Sequence, residues 1–267
     1  MTHLVSIILP VFNGELFIRE ALDSVIAQTH TNWELLIVND GSTDRTRDIV
    51  KEFADLRIKY FEQPNKGVSA ARNKGLMEMR GDFFCFLDAD DTMPKESISG
   101  RLPIFQDTRI NFVDGIVISF NQEMTKQVSF FCPTLSGPPL AELLKLSSSC
   151  FFGITWLIRK NAELDYSFDQ TMNFAEDLWF YTLVASHGGN YSFSKAPIYN
   201  RRIVCGSAMS NVKGLALGYK MFYEKVKDSG IASREEIKIL KGKIQRLYLK
   251  WMLTQRSLSF LRLIFKL

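Results

Sequence analysis

Between residues 4 and 95, short apolar runs alternate with stretches of helical period, and this alternation leaves few architectures open to the chain. "LVSIIL" (4–9) reads as a strand. "ELFIREALDSVIAQT" (15–29) sets Ile18, Ala21, Leu22, Val25 and Ile26 on one stripe, the spacing of an amphipathic helix. "WELLIVND" (33–40) is a second strand, and Asp44 opens a helix reaching about Ala54. "IKYFEQ" (58–63) is a short strand, "GVSAARNKGLMEM" (67–79) a helix and "FFCFL" (83–87) a strand. A further helix is predicted after Pro94, a residue suited to a first turn. Repeated strand–helix–strand units build right-handed crossovers and a parallel sheet. The predicted class is therefore α/β, a mostly parallel sheet flanked by helices.

Beyond about residue 108 the pattern loosens. "GIVISF" (115–120), "VSFFC" (128–132) and "FFGITWLI" (151–158) read as strands, "LAELLKL" (140–146) and "AEDLWFYTLVASHGG" (175–189) as helices, and "YSFSKAPIYNRR" (191–202) as extended chain. No linker rich in Gly or Ser separates the halves. We expect one domain over 1–230, with residues 1–108 as one half and 109–230 packing on the same sheet as a second α/β layer, followed by a basic helical region at 231–267.

The polar clusters fall where strands end: "PVFNG", "NDGSTD", "QPNKG" and "DADD". In open parallel sheets, ligands bind beyond the carboxyl ends of the strands, so the four clusters should converge on one crevice. Each alone could be ordinary loop chemistry. Asp88, Asp90 and Asp91 crowd like charge at the end of a buried run, which raises their pKa values unless a cation or donors offset it. Asp88 and Asp90, two apart on a strand end, point to the same side and suit Mg²⁺ or Mn²⁺ shared with substrate phosphates. Asp91 or Thr92 could instead cap the next helix. Asp40 can accept from a base or a ribose, or simply form a turn before Gly41. Gly67 opens a helix whose free N–H groups favour an anion, and Arg72 follows on that helix, directed at the Asp cluster or paired at the surface. Glu176 and Asp177 open a later helix, where acids also occur for dipole reasons alone.

Other chemistries lack their residues. No P-loop, dinucleotide fingerprint, GxSxG or HExxH is present. The four cysteines and three histidines are dispersed, which argues against zinc and fits a reducing, cytoplasmic setting. No window of about 20 apolar residues suggests a membrane span, and the apolar start reads as a first strand rather than a signal peptide.

Taken together, "VSIILPVFNGELFIREALDSVIAQTHTNWELLIVNDGSTDRT", "NKGVSAARNKGLMEMRGDFFCFLDADD", "AEDLWF" and "PIYNRRIVCGSAMS" resemble glycosyltransferase family 2, the inverting nucleotide-sugar enzymes of GT-A fold. The resemblance implies the following roles. Pro10, Val11 and Asn13 line the base and ribose; Asp40 contacts the base, usually uracil, with Gly41 and Ser42 beside it. Arg72 and Asn73 lie by the nucleotide and the metal motif. Asp88-Ala89-Asp90 is similar to the DxD motif, Asp88 toward ribose and Asp90 toward a divalent metal. Asp177 matches the catalytic base, ionised at neutral pH if its pKa stays near the ordinary ~3.9. Arg202 resembles a pyrophosphate-side arginine, with Ser207 and Ser210 in the loop beyond. The sequence departs from the family where a tyrosine and a histidine commonly flank that arginine; Arg201 and Val204 stand there.

The implied activity is metal-assisted transfer from a nucleotide sugar, in particular a UDP-sugar, to a hydroxyl of a glycan or lipid-linked acceptor, as in bacterial surface polysaccharide or lipopolysaccharide synthesis. A sugar nucleotidyltransferase would need a basic pyrophosphate loop after the first strand, and "PVFNGELF" has no Lys or Arg. A non-catalytic nucleotide-binding module would not need Asp88, Asp90 and Asp177 together. The net charge of +4 is uneven: residues 237–267 hold eight Lys or Arg and no acid, leaving the rest at −4. Lys243, Arg246 and Lys250 share one helical stripe, and Leu240, Ile244, Leu247 and Trp251 the next. Such a helix either lies on an anionic membrane from the cytoplasmic side or docks on the domain. The acidic remainder argues against a nucleic-acid partner.

Overall fold

The computed structural model describes residues 3–204 and 211–255. Strands β1 (Val5–Val11), β2 (Trp33–Asn39), β3 (Ile58–Glu62) and β4 (Phe83–Phe86) run parallel, linked by α1 (Ile18–Ile26), α2 (Thr46–Lys51) and α3 (Val68–Glu78). The second half adds β5 (Ile110–Phe120), β6 (Gln127–Phe131), β7 (Leu157–Arg159) and β8 (Asn190–Arg202) to the same sheet. The order is β3-β2-β1-β4-β7-β5-β6, with β8 beside β5. β7 lies antiparallel to β4 and β5, and β8 runs parallel to β5. The remaining helices are α4 (Leu140–Leu144), α5 (Glu176–Ser186), α6 (Val212–Ser229) and α7 (Arg234–Gln255).

Apolar residues fill both faces of the sheet, which is why the central strands read as unbroken apolar runs rather than alternating ones. Phe84 and Phe86 enter one core with α5, α6 and α7; Phe83, Cys85 and Leu87 enter the other with α1 and α2.

Two expectations are corrected. The helix after Pro94 is absent: residues 95–100 form turns, followed by a 3-10 turn at Leu102–Gln106. Gly100 and Pro103 weaken a helix there. The fully buried Arg101 also draws the segment inward by donating to the Ser97 carbonyl, Ser97 Oγ and the Thr155 carbonyl. Of 151–158, only the end is strand, because the chain turns where the Phe151 ring covers Gly153. Helix α6 lay outside every sequence expectation.

The tail takes the docked arrangement as far as it is described. Leu240, Ile244 and Tyr248 are fully buried, Leu247 and Trp251 pack against the same core, and α7 contacts α6 and α4. The apolar stripe expected to meet a membrane is therefore covered by protein. Lys243, Arg246 and Lys250 remain exposed. Arg256, Arg262 and Lys266 lie outside the described residues. No helix among the described residues is long and apolar enough to cross a membrane.

Candidate active site

The loops after β1 and β2 are stitched together by their own polar groups. Asn13 adopts φ 50°; its N–H donates to Ser42 Oγ (2.9 Å) and its Oδ1 accepts from Thr43 N (2.8 Å). Gly14 N–H donates to Thr46 Oγ1, and Glu15 N–H to Asp44 Oδ2. Asp44 also accepts from Thr46 N, but it stands one residue ahead of the N-cap of α2, Arg45, so it turns the chain into the helix rather than capping it as its sequence position implied. Above these loops opens a cleft of about 340 Å³. Of the residues predicted for it, Pro10, Val11, Asn13, Asp40, Asp88, Ala89 and Asp90 line it. Phe12, Gly14, Phe17, Val68, Ala71 and Val204 line it too. Phe12 and Gly14 sit inside the quoted "PVFNG", and Val68 and Ala71 share a face of α3 at i, i+3; nothing in the sequence marks Phe17.

Asp40 is 3% exposed and its carboxylate is fully engaged. Oδ1 accepts from Gln63 Nε2 (2.7 Å) and Lys66 N (2.9 Å), and Oδ2 from Gly67 N (2.8 Å). This corrects the reading of Gly67 as an open anion site: the anion at the start of α3 is Asp40 itself, and Gly67 does not line the cleft. Gly41 permits the approach. At φ 76°, a Cβ there would lie 2.7 Å from Asn65 N, so only glycine fits. Gly41 and Ser42 support the cleft from behind.

The carboxylates after β4 meet different neighbours. Asp88 N–H donates to the Tyr199 hydroxyl (3.1 Å), and Asp88 Oδ1 accepts from Arg72 Nη2 (3.1 Å). Asp91 is buried and accepts from Arg202 N (2.6 Å); burial, then Asp90 and Asp88, push its carboxyl well up. Asp90 accepts from no side chain among the described residues; burial and the adjacent Asp88 push it up to about 6, against Arg202. The Arg202 guanidinium is itself committed to protein. It donates to the Asp90 carbonyl (2.7 Å), the Gln122 carbonyl and Glu20 Oε2 (2.6 Å), and covers the Phe17 ring. In this structure it braces the strand-four turn against α1 and does not line the cleft.

Arg72 joins distant parts of the chain. It is 5% exposed and spans from Asp88 to Glu176 Oε1 (Nη1, 3.0 Å), 104 residues away in sequence. Burial opposes its charge, but Asp88, Glu176 and Asp177 outweigh that and raise its pKa. Asp177 follows Glu176 at the start of α5 and accepts from Leu178 N (2.7 Å). Burial, then Glu176, push its carboxyl up to about 7, with Arg72 pulling down. An ordinary ionised aspartate, the sequence expectation, is thus replaced by one that titrates near neutrality. Asn73 faces elsewhere: its amide exchanges two hydrogen bonds with the Phe168 backbone. Glu176, offered by the sequence only as an acid at a helix start, and Tyr199, given no role there, are the neighbours that complete the group.

Comparison with known proteins places this arrangement. The profile described as Glycosyl transferase family 2 matches residues 6–167. The chain belongs to glycosyl transferase family 2. Its relatives include Glycosyltransferase GlyA of Streptococcus pneumoniae, 41% identical over 120 residues, 44% of this chain and 17% of GlyA. Another is Uncharacterized glycosyltransferase EpsJ of Bacillus subtilis, 33% identical over 190 residues, 66% of this chain and 54% of EpsJ. The chain thus spans about half of EpsJ and far less of GlyA. Among solved structures, S. aureus TarS 1-349 in complex with UDP-GlcNAc superposes with a TM-score of 0.77 at 19% identity, covering 97% of this chain and 78% of that one. Mannosyltransferase PcManGT of Pyrobaculum calidifontis, in complex with GDP-Man and Mn²⁺, gives 0.68 at 17%, covering 97% and 71%. These likenesses establish the GT-A fold.

PcManGT was solved with Mn²⁺, and the residues here fit a divalent cation in part. Among the described residues no group of three or more His, Cys, Asp or Glu could hold a metal unaided. Asp88 and Asp90 are two carboxylates, and Asp90 has no side-chain donor among the described residues while its charge is resisted by burial and by Asp88. Two carboxylates completed by diphosphate oxygens are what Mg²⁺ or Mn²⁺ accepts. Val204, in place of the histidine common in the family, lines the cleft and offers no ligand. Ser207 and Ser210 lie outside the described residues.

Proposed function

We propose that the chain is an inverting glycosyltransferase that uses a nucleotide-sugar donor, with UDP the nucleotide, and glycosylates a hydroxyl of a glycan or lipid-linked acceptor in bacterial surface polysaccharide synthesis. The observation that carries this reading is the Arg72 guanidinium shared by Asp88 and Glu176, which ties the cleft carboxylates to the start of α5. The cleft would take the nucleotide, with Pro10, Val11 and Asn13 along the base and ribose. Asp88 and Asp90 would hold the cation, which when bound neutralises charge on the departing diphosphate.

Asp177 is the base. Its carboxylate takes the proton of the acceptor hydroxyl as that oxygen bonds to the anomeric carbon. The bond from that carbon to the donor phosphate oxygen breaks, and the nucleoside diphosphate leaves with the electron pair from the opposite face. A base titrating near 7 is matched to neutral operation, whereas one near 4 would be a weaker proton acceptor. Arg72 keeps Glu176 engaged, so one carboxylate of the pair remains to act.

Thermal-shift measurement with UDP and GDP, with and without Mn²⁺, followed by nucleotide release from UDP- and GDP-sugars, tests this. Mn²⁺-dependent stabilisation by UDP and release from a UDP-sugar are expected. Nucleotide binding without hydrolysis or transfer of any donor would overturn it in favour of a binding module.

A further inference from the structure

The segment entering α5 is fixed by a contact outside the cleft. Phe174 lies against α6 where two glycines, Gly214 and Gly218, leave a notch one turn long. A Cβ on Gly214 would fall 2.3 Å from the Phe174 ring edge. A Cβ on Gly218 would fall 2.6 Å from both Phe174 Cβ and the Phe174 carbonyl oxygen. The notch is therefore filled by both ring and backbone of residue 174. The start of α6 is itself fixed, because Asn211 Oδ1 accepts from Gly214 N (2.9 Å).

Immediately after Phe174 comes Ala175 at φ 58°, ψ 21°, a left-handed conformation at a residue that carries a Cβ. Such backbone persists only where its surroundings over-determine it. Here it is clamped on both sides: Phe174 sits in the α6 notch, and Glu176 is bound to Arg72. Asp177 is the next residue, and its own hydrogen bond is to Leu178 N within the same turn. No other polar contact among the described residues fixes its carboxylate.

We propose that Phe174, seated between Gly214 and Gly218, is a positioning residue that sets where the Asp177 carboxylate stands. This rests on the reading of Asp177 as the base, but the contact can be judged without turnover. The test uses the full chain and the variants Gly218→Ala, Phe174→Ala and Phe174→Leu. The Asp177 carboxyl is followed by ¹³C NMR titration, its signal assigned by loss in Asp177→Asn. UDP affinity with Mn²⁺ and turnover of the donor found in the screen are measured alongside.

Gly218→Ala displaces the carbonyl of residue 174, which no rotamer change relieves, so the Asp177 midpoint should move by about half a pH unit or more. Turnover should fall by about 10²-fold, the scale of a 1 Å misplacement, with UDP affinity within about twofold. Phe174→Leu, which keeps an apolar wedge and folds most readily, should lie between Phe174→Ala and the parent. An unmoved Asp177 titration in a folded Phe174→Leu and Phe174→Ala pair would overturn the proposal, as would parallel loss of UDP affinity and turnover. Near-normal turnover in Asp177→Asn would instead remove the base assignment, with the NMR result still deciding the role of Phe174.

Discussion

Replacing Asp177 by Asn separates what this residue does for chemistry from what it does to stability. In the fold, burial and Glu176 keep the carboxyl protonated up to about 7, against an ordinary value of 3.8. Unfolded, it ionises from 3.8 upward. Between those values the native state binds more protons, so the parent loses stability as pH rises, and the loss is complete above about pH 7. At ~1.36 kcal/mol per decade the ceiling is about 4 kcal/mol. Asp177 keeps partial contact with solvent, and screening brings the expected figure to about 2 kcal/mol. Asn has the same shape and does not titrate. Asp177→Asn should therefore unfold about 4–8 °C higher than the parent at about pH 8. Its advantage should be about a third as large near pH 5 and vanish near pH 4. The same variant should lose about 10²–10⁴-fold in turnover, and the parent should show an acid limb in kcat/KM near the 7 of Asp177. Calorimetry across pH and donor turnover are the assays. A variant less stable than the parent at pH 8, or an advantage that grows toward acid, would refute the burial argument. Turnover within tenfold of the parent would refute the base.

Arg72→Met leaves Glu176 and Asp88 facing each other without their shared cation. Breaking a buried pair costs about 3–5 kcal/mol, and because Asp88 is 37% exposed the lower end is expected, read as a drop of about 6–12 °C in Tm. Asp40→Asn turns one fully engaged oxygen into a donor facing an N–H; urea titration should show a loss of about 2 kcal/mol, and UDP affinity should fall as the 63–67 turn loosens. On anionic vesicles, Lys243→Gln/Arg246→Gln/Lys250→Gln should lower partitioning by about 10²-fold, at about 1 kcal/mol per cation. The parent's contribution from this stripe should disappear at high salt; persistence there would mean that the apolar stripe of α7 can leave its core.

The first half of the fold was legible because its signals are local. A period-2 or continuous apolar run, a period-3.6 stripe and a glycine at a strand end each announce themselves within ten residues, and β1 to β4 with α1 to α3 follow from them. The failures come from longer reach. "PKESISG" opens on a proline, Pro94, suited to a helix start, yet Arg101 finds better partners 54 residues away on the Thr155 backbone. The stripe Leu240, Ile244, Leu247 and Trp251 is equally suited to lipid and to protein, and only the presence of α6 and α4 decides. In the site, position was readable and partnership was not. "NDG" and "NKG" each look like a ligand-facing loop, but the carboxylate of one satisfies the N–H groups of the other.

The crowding of Asp88, Asp90 and Asp91 after an apolar strand now has a divided answer. Asp91 is answered by the Arg202 backbone and enters the scaffold. Asp88 is answered by Arg72, which links this cluster to Glu176 and so to the neighbouring Asp177. Asp90 has no side-chain donor among the described residues, and burial and Asp88 drive its carboxyl up to about 6 against its own backbone N–H and Arg202. A fold that pairs two of three adjacent acids and leaves the third, facing the cleft, at an energetic disadvantage has kept that disadvantage for something that arrives with the ligand. A cation would offset it, and the same cation would draw electron density from Asp88, weakening the hold of Asp88 on Arg72. Arg72 would then act more fully on Glu176 and Asp177, lowering the pKa of Asp177. On the reading of Asp177 as the base, donor binding would be coupled to it through the one guanidinium that Asp88 and Glu176 share.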